Sequence, residues 1–135
     1  MLTLNALYPT DDQVKAALGR DDGRPICMLN LLKFREQASY EDGRETALTG
    51  AQAYALYGRA MTRLVTEAGG QLLFAGEARG LLIGTVEAPW DQVAVMMYPS
   101  FAAMVAITTS AAYAEIQVHR DAGLAGQLLI ETVRP

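Results

Sequence analysis

Six side chains in this sequence are candidates to touch a small molecule: Asn30, Tyr57, Trp90, Tyr98, His119 and Arg120. Asn30 interrupts the apolar run Ile26-Cys27-Met28-Leu29-Asn30-Leu31-Leu32-Lys33-Phe34. A buried amide costs about 1–3 kcal/mol unless its donors and acceptor are paired. Asn30 therefore either holds a ligand at a pocket wall or bonds a neighbouring backbone group. On a strand it shares a face with Met28 and Leu32, whereas Lys33 falls on the other face near the strand end, which suits a solvated or salt-bridged side chain.

Tyr54, Tyr57 and Tyr98 carry phenols that either meet a substrate or fill core. Trp90-Asp91 sets a flat apolar ring beside a carboxylate at a strand start, serving as a pocket lip or as a turn that caps itself. Arg120 shares a helix face with Tyr113, Ile116 and Gln117, and its planar fork of donors suits an anionic group; the competing role is an ion pair with Asp91 or Glu87. His119 is the sole histidine, the natural proton carrier near neutral pH, yet no fixed partner for it is visible and a surface position is expected. Cys27 is the lone cysteine and sits where a thiol packs as a small hydrophobe. No spacing of His or Cys suits a metal. Gly76, Gly80 and Gly84 do not lead into a helix as a phosphate-binding loop would. The pattern thus names ligand-binding candidates, no catalytic set, no metal and no cofactor.

These residues need elements to position them. Thr10-Asp11-Asp12-Gln13 has capping-box spacing, and Val14, Ala17 and Leu18 form a stripe, which predicts a short helix from Asp11 to Leu18. The polar turn 20–25 precedes a strand over 26–34 that is apolar enough to be covered on both faces. Residues 35–50 read as a loop. Tyr54, Tyr57, Met61, Leu64, Val65 and Ala68 follow helical spacing over 51–68, stopped by Gly69-Gly70. Gln71–Phe74 and Leu81–Val86 read as one irregular strand with a bulge. Val93–Tyr98 is a strand ended by Pro99. Helical stretches from Ser100 to Ile107 and from Ser110 to Ala122 are separated by a break or re-cap at 108–110, and Gln127–Val133 is the last strand. After a leading helix the order is β-α-β-β-α-β, an antiparallel sheet with two helices on one face.

The strands are apolar at nearly every position, so the face away from the helices needs a cover, and a second copy around a two-fold axis is the economical one. The 135 residues fit one domain, 1–135, with 51% hydrophobic and 19% charged residues. A net charge of −4 without basic clusters argues against nucleic acid and anionic membrane as partners. The stretch 92–114 has the length of a bilayer span without formal charge, but Tyr98-Pro99-Ser100 divides it into a strand and a helix. A lone cysteine, and an N-terminus Met1-Leu2-Thr3-Leu4-Asn5-Ala6 lacking a basic region or long apolar core, argue for the cytoplasm.

The set Met28-Leu29-Asn30-Leu31-Leu32-Lys33-Phe34-Arg35, Tyr54, Tyr57, Gly69-Gly70, Trp90-Asp91, Tyr98-Pro99-Ser100, Tyr113 and Arg120-Asp121-Ala122-Gly123-Leu124 resembles the domain-of-unknown-function family 1330, over roughly Pro25 to Val133. The resemblance implies an α+β, ferredoxin-like chain that pairs as a dimeric α/β barrel. It implies no single reaction, because folds of this kind serve cofactor-free monooxygenases, haem-degrading enzymes, isomerases and ligand sensors alike. The expectations that result are a cofactor-independent enzyme acting on a small, partly apolar organic molecule, a binding or sensing module with the same pocket and no chemistry, or an interaction protein whose pocket is packed core.

Overall fold

The computed structural model describes residues 3–135; Met1 and Leu2, part of the N-terminal stretch read for targeting, lie outside the described residues. Thr10 caps helix α1 (Asp11–Arg20) through a reciprocal box: its Oγ1 accepts from the Gln13 amide at 3.1 Å, and Gln13 Oε1 accepts from the Thr10 amide at 2.9 Å. Strand β1 follows at Ile26–Phe34, then helix α2 at Gly50–Glu67, opened by a second box between Thr49 and Gln52. Strands β2 (Gln71–Glu77) and β3 (Gln92–Tyr98) precede helices α3 (Phe101–Thr108) and α4 (Ala111–Gly123), and strand β4 (Leu124–Thr132) closes the order. The expected break at 108–110 is present, because Ser100 and Ser110 each cap their own helix.

The sheet runs β2-β3-β1-β4 with every neighbour antiparallel, the ferredoxin-like arrangement. It is open, with β2 and β4 at its edges, so one chain supplies at most half of a barrel. Residues directly opposite on antiparallel strands share a face. The register Met28↔Met96, Asn30↔Ala94 and Leu32↔Gln127 therefore puts Met28, Asn30, Leu32, Met96 and Gln127 on one face. Met28 and Met96 pack there in the core against Tyr57, Met61 and Val65 of α2. The face opposite carries Leu29, Leu31, Val93, Val95, Leu128 and Ile130 in register, with Phe74 on β2 beside them and 58% exposed.

One element departs from the sequence reading. Residues 81–86 do not continue β2; they belong to the connection to β3, and Leu82 is 97% exposed. The reason is register: Glu77 already pairs with Gln92 at the start of β3, which leaves no partner strand for 81–86, and Gly84 turns the backbone at φ +93°. The expected bulge does exist, within β2 between Leu72 and Phe74.

One glycine sets how closely two of the helices approach. A methyl group at Gly123 would strike the Gly50 carbonyl oxygen and come within 2.8 Å of the Tyr54 amide, so α2 and α4 touch backbone to backbone there. Among the described residues no single helix is long and apolar enough to cross a bilayer; α3 and α4 together reach that length but bend by 81° at their junction.

Candidate functional site

Two polar clusters lie on the helix-covered side of the sheet. The first starts at Asn30. Its Nδ2 donates to the Met28 carbonyl at 3.1 Å and to the Ala94 carbonyl at 3.3 Å, and its Oδ1 accepts from Gln127 Nε2 at 2.7 Å. Gln127 Oε1 in turn accepts from Arg120 Nη2 at 2.9 Å. Arg120 also donates from Nη2 to the Leu7 carbonyl and from Nη1 to Asp121 Oδ1 at 3.1 Å. The Arg120 and Asp121 side chains are only 12% and 15% exposed, so the ion pair is largely desolvated and the guanidinium charge is balanced locally. The Tyr8 ring lies under the guanidinium at 5.4 Å. Partial burial, and next the Asp121 carboxylate, push the Tyr8 phenol up to about 12. The N-terminal segment is laid across this cluster by an antiparallel bridge between Ala6 and Gln127, whose backbones exchange bonds of 3.1 and 2.9 Å.

The second cluster is aromatic. Tyr54 and Tyr57 on α2, Tyr113 on α4 and Tyr98 on β3 gather around the central core, with Tyr54–Tyr57 ring centroids 5.3 Å apart and Tyr57–Tyr113 6.0 Å apart. Tyr57, Tyr98 and Tyr113 are 8%, 5% and 8% exposed. Helical spacing makes the grouping: Tyr54 and Tyr57 are three apart, and Tyr113 and Arg120 are seven apart, so each pair shares a face. The Tyr57 and Tyr113 hydroxyls approach each other, and outside this cluster the Tyr40 hydroxyl bonds His119. Among the described residues every side-chain polar atom that is sealed from solvent has a partner.

Burial raises the Tyr57 and Tyr98 phenols well above their ordinary value of 10. Tyr54 is pushed up to about 12, burial acting first, with the Arg120 charge opposing it and Tyr113 adding to it. At neutral pH these groups are uncharged hydrogen-bond donors and poor proton acceptors. Met28, Met61 and Met96 supply the apolar walls beside them.

The remaining candidates lie elsewhere. Tyr40 in the loop 35–49 meets His119 on α4, hydroxyl to Nδ1 at 2.7 Å with the rings edge on at 5.6 Å, and Arg44 covers the Tyr40 ring at 4.5 Å. His119 is six residues from Tyr113, about 120° around the helix from the phenols. Burial and then the Arg44 charge hold its pKa below 6.5. Surface hollows of about 480 and 330 Å³ flank Tyr40; loop residues line the first, Val118 and Asp121 of α4 join Glu41 and Asp42 at the second, and Asp42 pairs with Arg44.

Asp91 does not meet Arg120. It takes Lys33 Nζ at 3.2 Å and the Phe34 amide at 2.8 Å, fastening the end of β1, while Glu87 accepts from the Thr3 amide at 2.6 Å. Trp90 donates its indole N–H to Asn5 Oδ1 at 3.1 Å, beside the N-terminal segment. The fold thus brings Tyr57 and Tyr98 together, links Asn30 to Arg120 through Gln127, and leaves Trp90 and His119 apart from both clusters. Sequence reasoning missed Gln127, Asp121, Leu7 and Tyr8; only Tyr113, on the face assigned to Arg120, carried a signal.

The family model described as "Domain of unknown function (DUF1330)" matches residues 44–132, which leaves the Asn30 strand outside the matched span. A protein of unknown function from Rhodopseudomonas palustris is 34% identical, with a TM-score of 0.84, over 98% of this chain and 100% of its own. Its methylated form is 36% identical, with a TM-score of 0.85, over 98% of each chain. A ferredoxin-like protein of unknown function from Bacteroides fragilis, described as dimeric, is 8% identical, with a TM-score of 0.51, over 80% of this chain and 94% of its own; that likeness is one of fold alone. Among curated proteins none matches.

Proposed function

The chain belongs to the DUF1330 family, and we propose that it is a small-molecule-binding module that takes a compact, partly apolar organic ligand among Tyr54, Tyr57, Tyr98 and Tyr113. The observation that supports this reading is the gathering of four tyrosines from α2, β3 and α4 in one core, where phenylalanine would pack as well without a hydroxyl to place.

Binding is favoured over catalysis because a cofactor-independent enzyme needs a proton acceptor within reach of its substrate. The phenols are held in their protonated form, Arg120 is paired to Asp121, and the histidine turns its ring to Tyr40. The working unit in this reading is a homodimer, two sheets packing through Leu29, Leu31, Val95, Ile130 and Phe74 about a two-fold axis. Support comes from the apolar character of that uncovered face and from the ferredoxin-like relative described as dimeric.

A thermal-melt screen of ketones, aldehydes, phenols and carboxylates tests the ligand half. At least one class should raise the melting temperature in a concentration-dependent way, and the rise should vanish in Tyr57→Phe. Silence across all classes would sink it. Light scattering tests the other half: a dimer is expected, reduced to monomer by Ile130→Glu on the exposed edge strand, and a monomeric parent chain rules the pairing out.

A further inference from the structure

We propose that the connection between β2 and β3 is a dimerisation arm whose apolar tip, Leu81-Leu82-Ile83, packs on a second copy of this chain. The inference rests on the paired state proposed above and adds a contact that lies outside the sheet face.

The arm begins in its sequence. Gly80 and Gly84 bracket three consecutive large aliphatic residues, and Gly84 turns the backbone at φ +93°. A run of this composition ordinarily turns inward. Here it turns outward, with Leu81, Leu82 and Ile83 respectively 50%, 97% and 88% exposed. Single apolar residues scattered over a surface need no explanation, whereas contiguous ones held in water mark a contact surface.

The way the arm is mounted also favours a contact. Its two roots are bonded to each other and to the sheet: the Ala78 amide donates to the Asp91 carbonyl at 2.9 Å, and the Asp91 amide donates to the Leu32 carbonyl at 2.8 Å. The Asp91 carboxylate accepts from Lys33 Nζ and from the Phe34 amide. On the returning limb Glu87 accepts from the Thr3 amide, and Trp90 donates to Asn5. The tip is therefore carried on a fixed base, and less conformational freedom is lost when it docks.

Area and charge name the occupant. A stable pair buries about 800 Å² on each partner. On the uncovered sheet face Leu29, Leu31, Val93 and Val95 are already half-buried by their neighbours, and its well-exposed members are Phe74 and Ile130, at 58% and 44%. The tip adds apolar area where that face is short of it. It is also continuous with the face, because Phe74 lies three residues before Glu77, where β2 gives way to the arm. In a two-fold pair one tip serves twice, each copy reaching the other. A lipid surface fits less well, since the chain carries a net charge of −4 and no basic cluster to hold anionic headgroups.

Sedimentation equilibrium of the full chain tests the arm, comparing the parent with the double variant Leu82→Ser, Ile83→Ser. Both side chains lie in water in the single chain, so the variant keeps its fold, which circular dichroism checks. Its dimer dissociation constant should rise at least about tenfold, the effect of losing a central apolar contact. A second measurement follows the tip itself. In Ile83→Cys a maleimide reacts at position 83, because Cys27 is buried, and labelling should slow at least about tenfold as concentration rises through the dimer transition. An unchanged dissociation constant, or a labelling rate that ignores concentration, overturns the arm while leaving the pairing through the sheet face in place. A parent chain that stays monomeric overturns the pairing and the arm with it. Parent chain that pellets with phosphatidylcholine vesicles, where the double variant does not, overturns the arm in favour of a lipid contact.

Discussion

The two polar clusters beneath the helices are built from similar materials and treated in opposite ways. From Asn30 through Gln127 to Arg120 and Asp121 the amides and charges find protein partners, reaching from the middle of β1 to the N-terminal segment. Across the same layer Tyr57, Tyr98 and Tyr113 are buried and Tyr54 half-buried, ring against ring. The first cluster is held by directed bonds between distant residues, the second by the packing of its rings.

Substitutions on the two sides should therefore behave differently, and the largest effect is expected at Arg120. Arg120→Ala removes the partner of a largely buried carboxylate and should cost about 3 kcal/mol in urea denaturation; a loss below about 1 kcal/mol would show that solvent reaches Asp121 and that the chain of bonds is peripheral. Asn30→Leu comes next, since it strands Gln127 Nε2 and should cost about 1–3 kcal/mol by the same measurement.

A smaller effect belongs to pH. His119 is held below its ordinary 6.5 by burial and by Arg44, so the unfolded chain takes up the proton first as pH falls. Its contribution is complete above about pH 6.5 and declines below it. Melting temperatures at about pH 7.5 and 5.5 should differ in the parent chain and differ less in His119→Gln; an unchanged difference would remove His119 from the account. The smallest effect is expected from Tyr98→Phe without ligand, within about 0.5 kcal/mol of the parent or more stable. A loss comparable to that of Asn30→Leu would mean that the hydroxyl has a structural partner and would dissolve the contrast between the clusters.

Local chemistry explains what was legible beforehand. Thr10 to Gln13 announced a helix because a capping box is contained in four residues, and the run from Ile26 to Phe34 announced a buried strand because its neighbours agree. Residues 81–86 misled because Leu81-Leu82-Ile83 has strand composition, whereas pairing depends on the length of a partner strand. The ligand candidates were legible as residue types and not as partnerships. Asn30 and Gln127 are 97 residues apart, and Tyr40 and His119 are 79 apart, separations over which no spacing rule operates. The role of Leu7 was out of reach for a different reason: it acts through a backbone carbonyl, which every residue has.

The bare contact at Gly123 bears on the tyrosine cluster although it lies outside it. Because α2 and α4 meet backbone to backbone at Gly50, Tyr54 and Gly123, they are joined like the arms of calipers at that end, and the edge-on approach of Tyr57 to Tyr113 is gauged from that joint. A single added methyl group at the pivot would change the gauge without touching either ring.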